Sequence, residues 1–494
     1  MKWHAFVERI APLGTRRRNW YDLGIIGLQT IANEGFKSFW RKYKLYKNSK
    51  KFSKKVRKAE DIKIELPEDL PELDVKVSVI IPTKNAGKDF DFTLEKIRNQ
   101  KGLRELEIIV VDSGSQEETT EIALKHGAKI VSIRPEDFSH SKARNLGAKK
   151  AKGEYLVFMT QDAIPVGEYL FYTMIKVMGS ENNIAAVTCR QIPRSDADSF
   201  ACFILWNHYR ALELDKDKIL YGGKDFEKLP YLEKRKRCQL DSVCFMIKKD
   251  VFEKFRFNED LDYAEDLELG LRLIKNGYKI AFLASSAVIH SHNRPPIYFL
   301  KRAFVDTTTL QKIFKDNAIE VGYFPQCSIQ DLLNSLIIVN KAINLSLNKF
   351  SKLYEPGSFE AHNLLHLLLI EIKKELEKIK KELEKDVNFC KLLSIGSNDP
   401  LEEFLIRSLD LEITNSKLED TKIINEIFLR FENAIALYKT FLKEAKLIYG
   451  YQEFSETIRK IFATVAGSIL ACALLWGKKS TLAEKLESSL KVGI

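Results

Sequence analysis

The sequence predicts an α/β protein: a mostly parallel, doubly wound sheet, preceded by a basic helical arm and followed by an all-helical C-terminal domain. Three observations carry this reading. Between residues 77 and 159, short continuous apolar runs alternate with helix-period segments, the pattern of parallel strands covered on both faces. From about Ser328 onward the alternation stops, and Ile372, Leu376, Ile379 and Leu383 recur at helical spacing within a Lys/Glu-rich stretch, as in a bundled helix. The charge is also uneven. Residues 1–60 hold 16 Lys/Arg against Glu8, Asp22, Glu34 and Glu60, a balance of +12, so the net +11 of the 494-residue chain resides wholly in that arm.

The elements follow in order. Within residues 1–60, Trp20, Tyr21, Ile25, Ile26, Phe36, Phe39, Trp40 and Tyr43 are interleaved with the basic residues. That mixture suits an interfacial helix on an anionic membrane surface rather than nucleic acid, with an ordinary packed helix as the competing reading. Residues 61–76 are acidic and punctuated by Pro67 and Pro71, and read as a linker. The α/β domain spans 77–310. Strands are expected at Val77–Ile81, Leu106–Val111, Lys129–Ile133 and Tyr155–Met159, with helices at Phe90–Gln100, Glu117–His126 and Ser141–Lys152 between them. Residues 311–494 form the helical domain, a candidate surface for homo-oligomer formation. Its uncharged run Ile461–Gly477, 17 residues long, is at the lower limit for a membrane span and reads better as a helix buried in the bundle or at a dimer interface. The seven cysteines form no C-x-x-C pair, and no signal-peptide pattern opens the chain. Both point to a reducing, cytoplasmic setting, peripheral at the inner face of the cell membrane. With 45% hydrophobic residues the chain is not of a disordered or low-complexity class.

In open α/β sheets ligands lie outside the carboxyl ends of the strands, so the residues that follow each strand matter most. After the first come Pro82, Thr83, Lys84 and Asn85, and after the second Asp112-Ser-Gly-Ser115. After the third comes Phe138-Ser-His-Ser-Lys142, leading into Arg144 and Asn145, and after the fourth Thr160-Gln161-Asp162. One rim thus gathers a carboxylate to accept from a base N–H, cations for phosphates, and a strand-end carboxylate for a divalent metal. Any one of these is an ordinary turn; four in register suggest a nucleotide site.

Six segments in this order, VSVIIPTKN, EIIVVDSGS, FSHSKARNLGA, YLVFMTQDAIP, YAEDLELGLRL and VIHSH, resemble the inverting glycosyltransferases of family 2, which have the GT-A fold. The resemblance covers roughly half the chain, from Val77 to about Phe304. Within the family it is most similar to bacterial rhamnosyltransferases that build surface polysaccharides such as O-antigen or capsule. It implies a nucleotide-diphosphate sugar donor, for example of L-rhamnose, a saccharide or lipid-linked saccharide acceptor, and a divalent metal, Mg or Mn. By position, Pro82, Thr83 and Asn85 would line the nucleoside pocket, Asp112 would bind the base, and Lys142, Arg144 and Asn145 would face ribose and diphosphate. Asp162 matches the last position of the family's D-x-D, with Gln161 beside it, although the first position is Thr160 here. Asp266, with Glu265 beside it, matches the general base.

Physical chemistry agrees with these roles. An inverting transfer needs a carboxylate to take the acceptor's proton, and a diphosphate leaving group needs cationic charge. Glu265 and Asp266 open a helix, where neighbouring side chains diverge by about 100°, so one faces the acceptor and the other caps. His290 and His292 alternate onto one strand face after Ala284–Ile289, and after an E-D motif they read as metal ligands or diphosphate contacts. Phe200, Phe203, Trp206, His208, Tyr209 and Tyr231 fit either an acceptor-binding loop or core. His362 and His366 lack the Glu of a zincin helix and read as bundle residues. The competing functions are a sugar nucleotidyltransferase, which would need a Gly-rich phosphate loop where Pro82–Asn85 stands, and an inactive membrane-associated adaptor with the same fold.

Overall fold

β1 (Leu73–Thr83), β2 (Leu103–Asp112), β3 (Lys129–Ser132) and β4 (Tyr155–Met159) are parallel and lie in the order β3-β2-β1-β4. The direction of winding therefore reverses between β1 and β4, the place at which open α/β sheets bind ligands at the carboxyl edge. Val79, Ile80 and Ile81 are completely buried, because helices cover both faces. On one face α1 (Asp89–Arg98) contributes Phe90, Leu94 and Ile97, and α2 (Glu117–Lys125) contributes Ala123. On the other lies α3 (His140–Lys150), capped by the Ser139 hydroxyl. Gly147 lets α3 approach the sheet, since a Cβ there would come within 2.5 Å of Ile80.

The computed structural model describes residues 70–261, 263–314, 327–353, 361–383, 399–408, 421–445, 451–476 and 481–491, with Leu28, Ile31, Ala32, Phe36 and Trp40 of the arm. The described chain divides into a sheet unit, residues 70–197 and 205–292, and a helical unit that includes residues 198–204 and everything from Asn293 onward.

The second half of the sheet is mixed. β8 (Cys244–Lys248) lies antiparallel between β4 and β6 (Ile184–Ile192), and β6 runs parallel to β9 (Lys279–Ile289). The short strands β5 (Ile164–Pro165) and β7 (Lys218–Leu220) pair antiparallel with β9. Around this half lie α4 (Leu170–Met178), α5 (Ser199–Ala211, whose first residues belong to the helical unit), α6 (Tyr231–Arg237), α7 (Lys249–Phe255) and α8 (Glu265–Lys275). Leu267, Leu271 and Ile274 of α8 point inward, as its periodicity predicts.

The helical unit comprises, among the described residues, α9 (Pro296–Phe314), α10 (Ile329–Leu353), α11 (Ala361–Leu383), α12 (Pro400–Ser408), α13 (Thr421–Ala445), α14 (Tyr451–Trp476) and α15 (Thr481–Lys491). Ile372, Leu376 and Ile379 of α11 are buried. Residues 461–476 of the uncharged run lie in α14, which is long and apolar enough to cross a membrane by length and composition alone. Ile461, Phe462, Ala466 and Leu470 are nevertheless buried within the unit. Gly467 abuts α9, where a Cβ would overlap the Leu300 carbonyl oxygen at 2.0 Å.

Several boundaries differ from the sequence reading. β1 begins at Leu73, inside the segment expected to be linker, because Leu73 and Val75 pack on the core and Leu73 pairs with Leu103. The helical unit takes over at Asn293 rather than at 311, since α9 packs on α14. The remaining linker residues, 61–69, and the arm apart from the five residues named above lie outside the described residues.

Candidate active site

Asp112 closes β2 at the carboxyl edge. Its Oδ2 accepts the N–H groups of Gly114 and Ser115, each at 3.1 Å, while its Oδ1 is buried without a partner. Leaving a buried acceptor unmade is costly, so this oxygen is poised for an incoming donor. The neighbouring expected residues are engaged within the protein. Pro82 lies in the β1–β2 ladder opposite Val111, and the Thr83 hydroxyl donates to the Ile81 carbonyl at 3.1 Å. Asn85, in the left-handed region at φ 45°, receives the Gln116 N–H on Oδ1 at 3.0 Å and donates its own N–H to Ser115 Oγ. Gln161 pairs with the Lys84 backbone through both amide atoms, at 2.9 and 3.3 Å. These two residues hold the β1, β2 and β4 loops in mutual register.

On α3 the sequence assignment needs correction. Arg144 is buried and its guanidinium pairs with the Glu265 carboxylate, also buried. Asn145 binds the Phe257 backbone at both ends, at 2.9 and 3.1 Å, and also donates to Glu259. Both side chains therefore face inward, to α8 and the loop before it, and are spent on partners within the protein. The cause is helical geometry: with Ser141 and Gly147 packed inward, Arg144 shares their face. Lys142 is exposed in the first turn.

Glu265 and Asp266 diverge as adjacent helical residues must. Ala264, left-handed at φ 57°, turns the chain into α8. Asp266, half-buried, accepts Ser242 N–H on Oδ2 at 2.6 Å and Leu267 N–H on Oδ1 at 2.7 Å. Burial, and then the charge of Glu265, raise its carboxyl above the usual range.

Asp162, His290 and His292 converge. His290 Nε2 lies 3.5 Å from Asp162 Oδ1, His292 Nε2 lies 3.4 Å from Oδ2, and the three ligand atoms fall within 4.8 Å of one another. Among the described residues no other His, Cys, Asp or Glu group has this proximity. His290 donates from Nδ1 to Gln191 Oε1 at 2.8 Å, which leaves its Nε2 lone pair facing Asp162. Burial lowers the His290 imidazole and so favours its neutral form. Burial raises the Asp162 carboxyl, but the two facing imidazoles outweigh it and keep it below the ordinary range. One carboxylate and two imidazole nitrogens form a donor set that fits a divalent cation of intermediate hardness.

Two residues here escaped the sequence reading, Gln191 at the end of β6 and Asp241 just before β8. Asp241 accepts the Gln191 side-chain N–H and the Val243 N–H, and burial together with Asp266 raises its carboxyl. Reading only the residues that follow strands could not find Asp241. β8 is antiparallel, so its beginning, not its end, reaches this rim. The aromatic segment also resolves. Phe200 and Phe203 are core of the helical unit, against Phe299 and Tyr438. Tyr209 is buried against Phe282, with its hydroxyl accepting Gln191 N–H at 2.6 Å.

The model of the family described as Glycosyl transferase family 2 matches residues 78–255. The O-antigen chain rhamnosyltransferase RfbN of Salmonella typhimurium is 32% identical over 288 residues, covering 56% of this chain and 88% of that protein. The chain belongs to glycosyl transferase family 2. A second family relative, the O-antigen chain rhamnosyltransferase WbaN of Salmonella anatum, is 29% identical over 287 residues, 55% of this chain and 86% of that protein. Among solved structures, the mannosyltransferase PcManGT of Pyrobaculum calidifontis, in complex with GDP-Man and Mn²⁺, aligns at a TM-score of 0.41 and 15% identity over 92% of this chain and 100% of that one. The family 2 glycosyltransferase domain has the GT-A fold: the parallel β3-β2-β1-β4 array forms one half, and the antiparallel β8 leads into the half that bears His290 and His292.

Proposed function

We propose that this glycosyltransferase is an inverting rhamnosyltransferase of surface-polysaccharide synthesis. It moves L-rhamnose from a nucleotide-diphosphate donor to a lipid-linked saccharide. The observation that carries the assignment of roles is the contrast between the buried, unpartnered Oδ1 of Asp112 and the Asp162–His290–His292 group at the same rim. Asp112 Oδ1 takes a base N–H. Asn85 and Gln161 hold the surrounding loops, and Lys142 supplies cationic charge from the first turn of α3. Asp162, His290 and His292 would hold a divalent cation, Mg²⁺ or Mn²⁺, which when bound would supply positive charge to the diphosphate leaving group. Asp266 takes the acceptor hydroxyl's proton. The acceptor oxygen bonds to the anomeric carbon from the face opposite the departing diphosphate, and the anomeric configuration inverts. Backbone N–H groups on both Asp266 oxygens fix the carboxylate before the acceptor arrives, and Glu265, neutralised by Arg144, leaves Asp266 as the proton acceptor.

A lipid-linked acceptor requires work at a bilayer. The basic composition of residues 1–60 supports this, as do Leu28, Phe36 and Trp40, helical residues at multiples of four that are 67%, 60% and 53% exposed. Incubating the protein with a panel of nucleotide sugars and lipid-linked saccharides, scored by nucleotide diphosphate release, tests the reaction. Acceptor-dependent release is expected with a deoxyhexose donor, and release with hexose donors alone refutes the sugar. Flotation with anionic liposomes tests the membrane reading: deletion of residues 1–60 should abolish it, and raised salt should weaken it for the intact chain. Flotation that survives the deletion refutes the arm's role.

A further inference from the structure

We infer that Asp241 and Gln191 are positioning residues that set the tautomer of His290 and join the metal ligands to the base. The inference rests on the reading of Asp162, His290 and His292 as cation ligands. Asp241 offers its carboxylate oxygens as acceptors, and both are used: Oδ1 takes Val243 N–H at 3.0 Å and Oδ2 takes the Gln191 side-chain N–H. The Gln191 amide therefore has one orientation, with Nε2 toward Asp241 and Oε1 toward His290. An amide oxygen at 2.8 Å requires the proton on His290 Nδ1, so Nε2 keeps its lone pair on the side of Asp162. The Gln191 main chain is itself anchored, its N–H donated to the buried Tyr209 hydroxyl at 2.6 Å.

The same three residues, 241–243, reach the other components of the rim. Ser242 N–H goes to Asp266 Oδ2 at 2.6 Å, and the Val243 carbonyl accepts Thr160 N–H at 3.3 Å, two residues before Asp162. One short segment at the start of an antiparallel strand therefore orients His290 through Gln191, fixes Asp266, and ties down the loop that carries Asp162. Outer partners of a ligating histidine fix its ring and its basicity, and losing one typically lowers metal affinity about 10–100-fold.

The donor pattern makes the inference testable by exchange. In Asp241→Asn the new side-chain amide, with its oxygen on Val243 N–H, presents N–H to Gln191. Gln191 must then turn its oxygen to residue 241 and its NH₂ to His290, which moves the imidazole proton to Nε2 and removes the lone pair from the site. Adding Gln191→Glu restores an acceptor for both His290 Nδ1 and the amide at 241. Mn²⁺ binding by the full-length protein without donor is measured by the electron paramagnetic resonance signal of free Mn²⁺, with far-UV circular dichroism as the fold control. We expect Asp241→Asn to weaken binding at least about tenfold, and the double variant Gln191→Glu/Asp241→Asn to recover to within about threefold of wild type. Wild-type affinity in Asp241→Asn overturns the inference, and so does a double variant no better than the single one, since a merely structural loss would not be repaired by a second substitution. Asp162→Ala is run alongside. If it binds Mn²⁺ as wild type does, the cation-ligand reading itself fails and takes this inference with it.

Discussion

Two stretches of the same rim, each rich in polar side chains, behave differently. Around α3 and the β1 loop the polar groups close on one another: Arg144 on Glu265, Asn145 on the Phe257 backbone, Gln161 on the Lys84 backbone, Asn85 on Gln116. Around β9 and the end of β4, Asp162, His290 and His292 face one another at 3.4–3.5 Å, and at the end of β2 Asp112 keeps one buried oxygen unpaired. The lesson is that a position at a strand end does not by itself say which polar side chains are tied into the surrounding backbone and which converge on one another. Residues of the first stretch hold the rim together, and those of the second carry the roles proposed above.

The largest test of that contrast is Asp266→Asn. Acceptor-dependent transfer should fall about 10²–10⁴-fold in kcat while donor affinity, measured by calorimetry, stays within a few-fold. Near-normal turnover would remove Asp266 from the role of proton acceptor. The wild-type pH profile sharpens the same point. The Asp266 carboxyl lies above its ordinary 3.8 through burial and the charge of Glu265, and only its ionised form accepts a proton. Turnover should therefore rise with pH through a value above 3.8.

Next in size is Glu265→Gln, which leaves the buried Arg144 guanidinium uncompensated. Loss of one partner from a buried pair costs about 3–5 kcal/mol, so denaturant unfolding should register a large drop in stability. If stability is unchanged and only kcat falls, Glu265 belongs with the reacting residues instead. Asp162→Ala should then remove the effect of Mn²⁺ on donor affinity, about tenfold or more, with the melting temperature little changed. Equal donor affinity of the wild type with chelator and with Mn²⁺ would break the comparison on its open side. Smallest is Asn145→Ala, expected to cost about 1 kcal/mol of stability per side-chain bond lost, with donor affinity within about twofold. A selective rise in donor Kd would return Asn145 to the substrate.

Much of this was legible in the residues themselves. β1, β2 and β4 contain continuous apolar runs that are buried, and strands of that kind declare themselves by continuous apolarity, because nothing along those runs needs to meet water. Helix α8 was legible for a related reason, its inward residues recurring at the helical period. Residue types at the ends of these strands located the rim, and the order of six motifs pointed to the family. Only the tertiary structure decided which rim residues are spent on one another. Arg144 and Glu265 are 121 positions apart and Asn145 and Phe257 are 112 apart, and no local pattern encodes a pairing across such separations. Strand direction was likewise a tertiary outcome. β8 has the composition of any buried strand, and its antiparallel placement between β4 and β6 carries Asp241 to the rim by its beginning rather than its end. Apolar periodicity is a property of the chain and can be read along it. Hydrogen-bond satisfaction is a property of the folded whole, because each donor's partner is chosen by what the rest of the chain brings beside it.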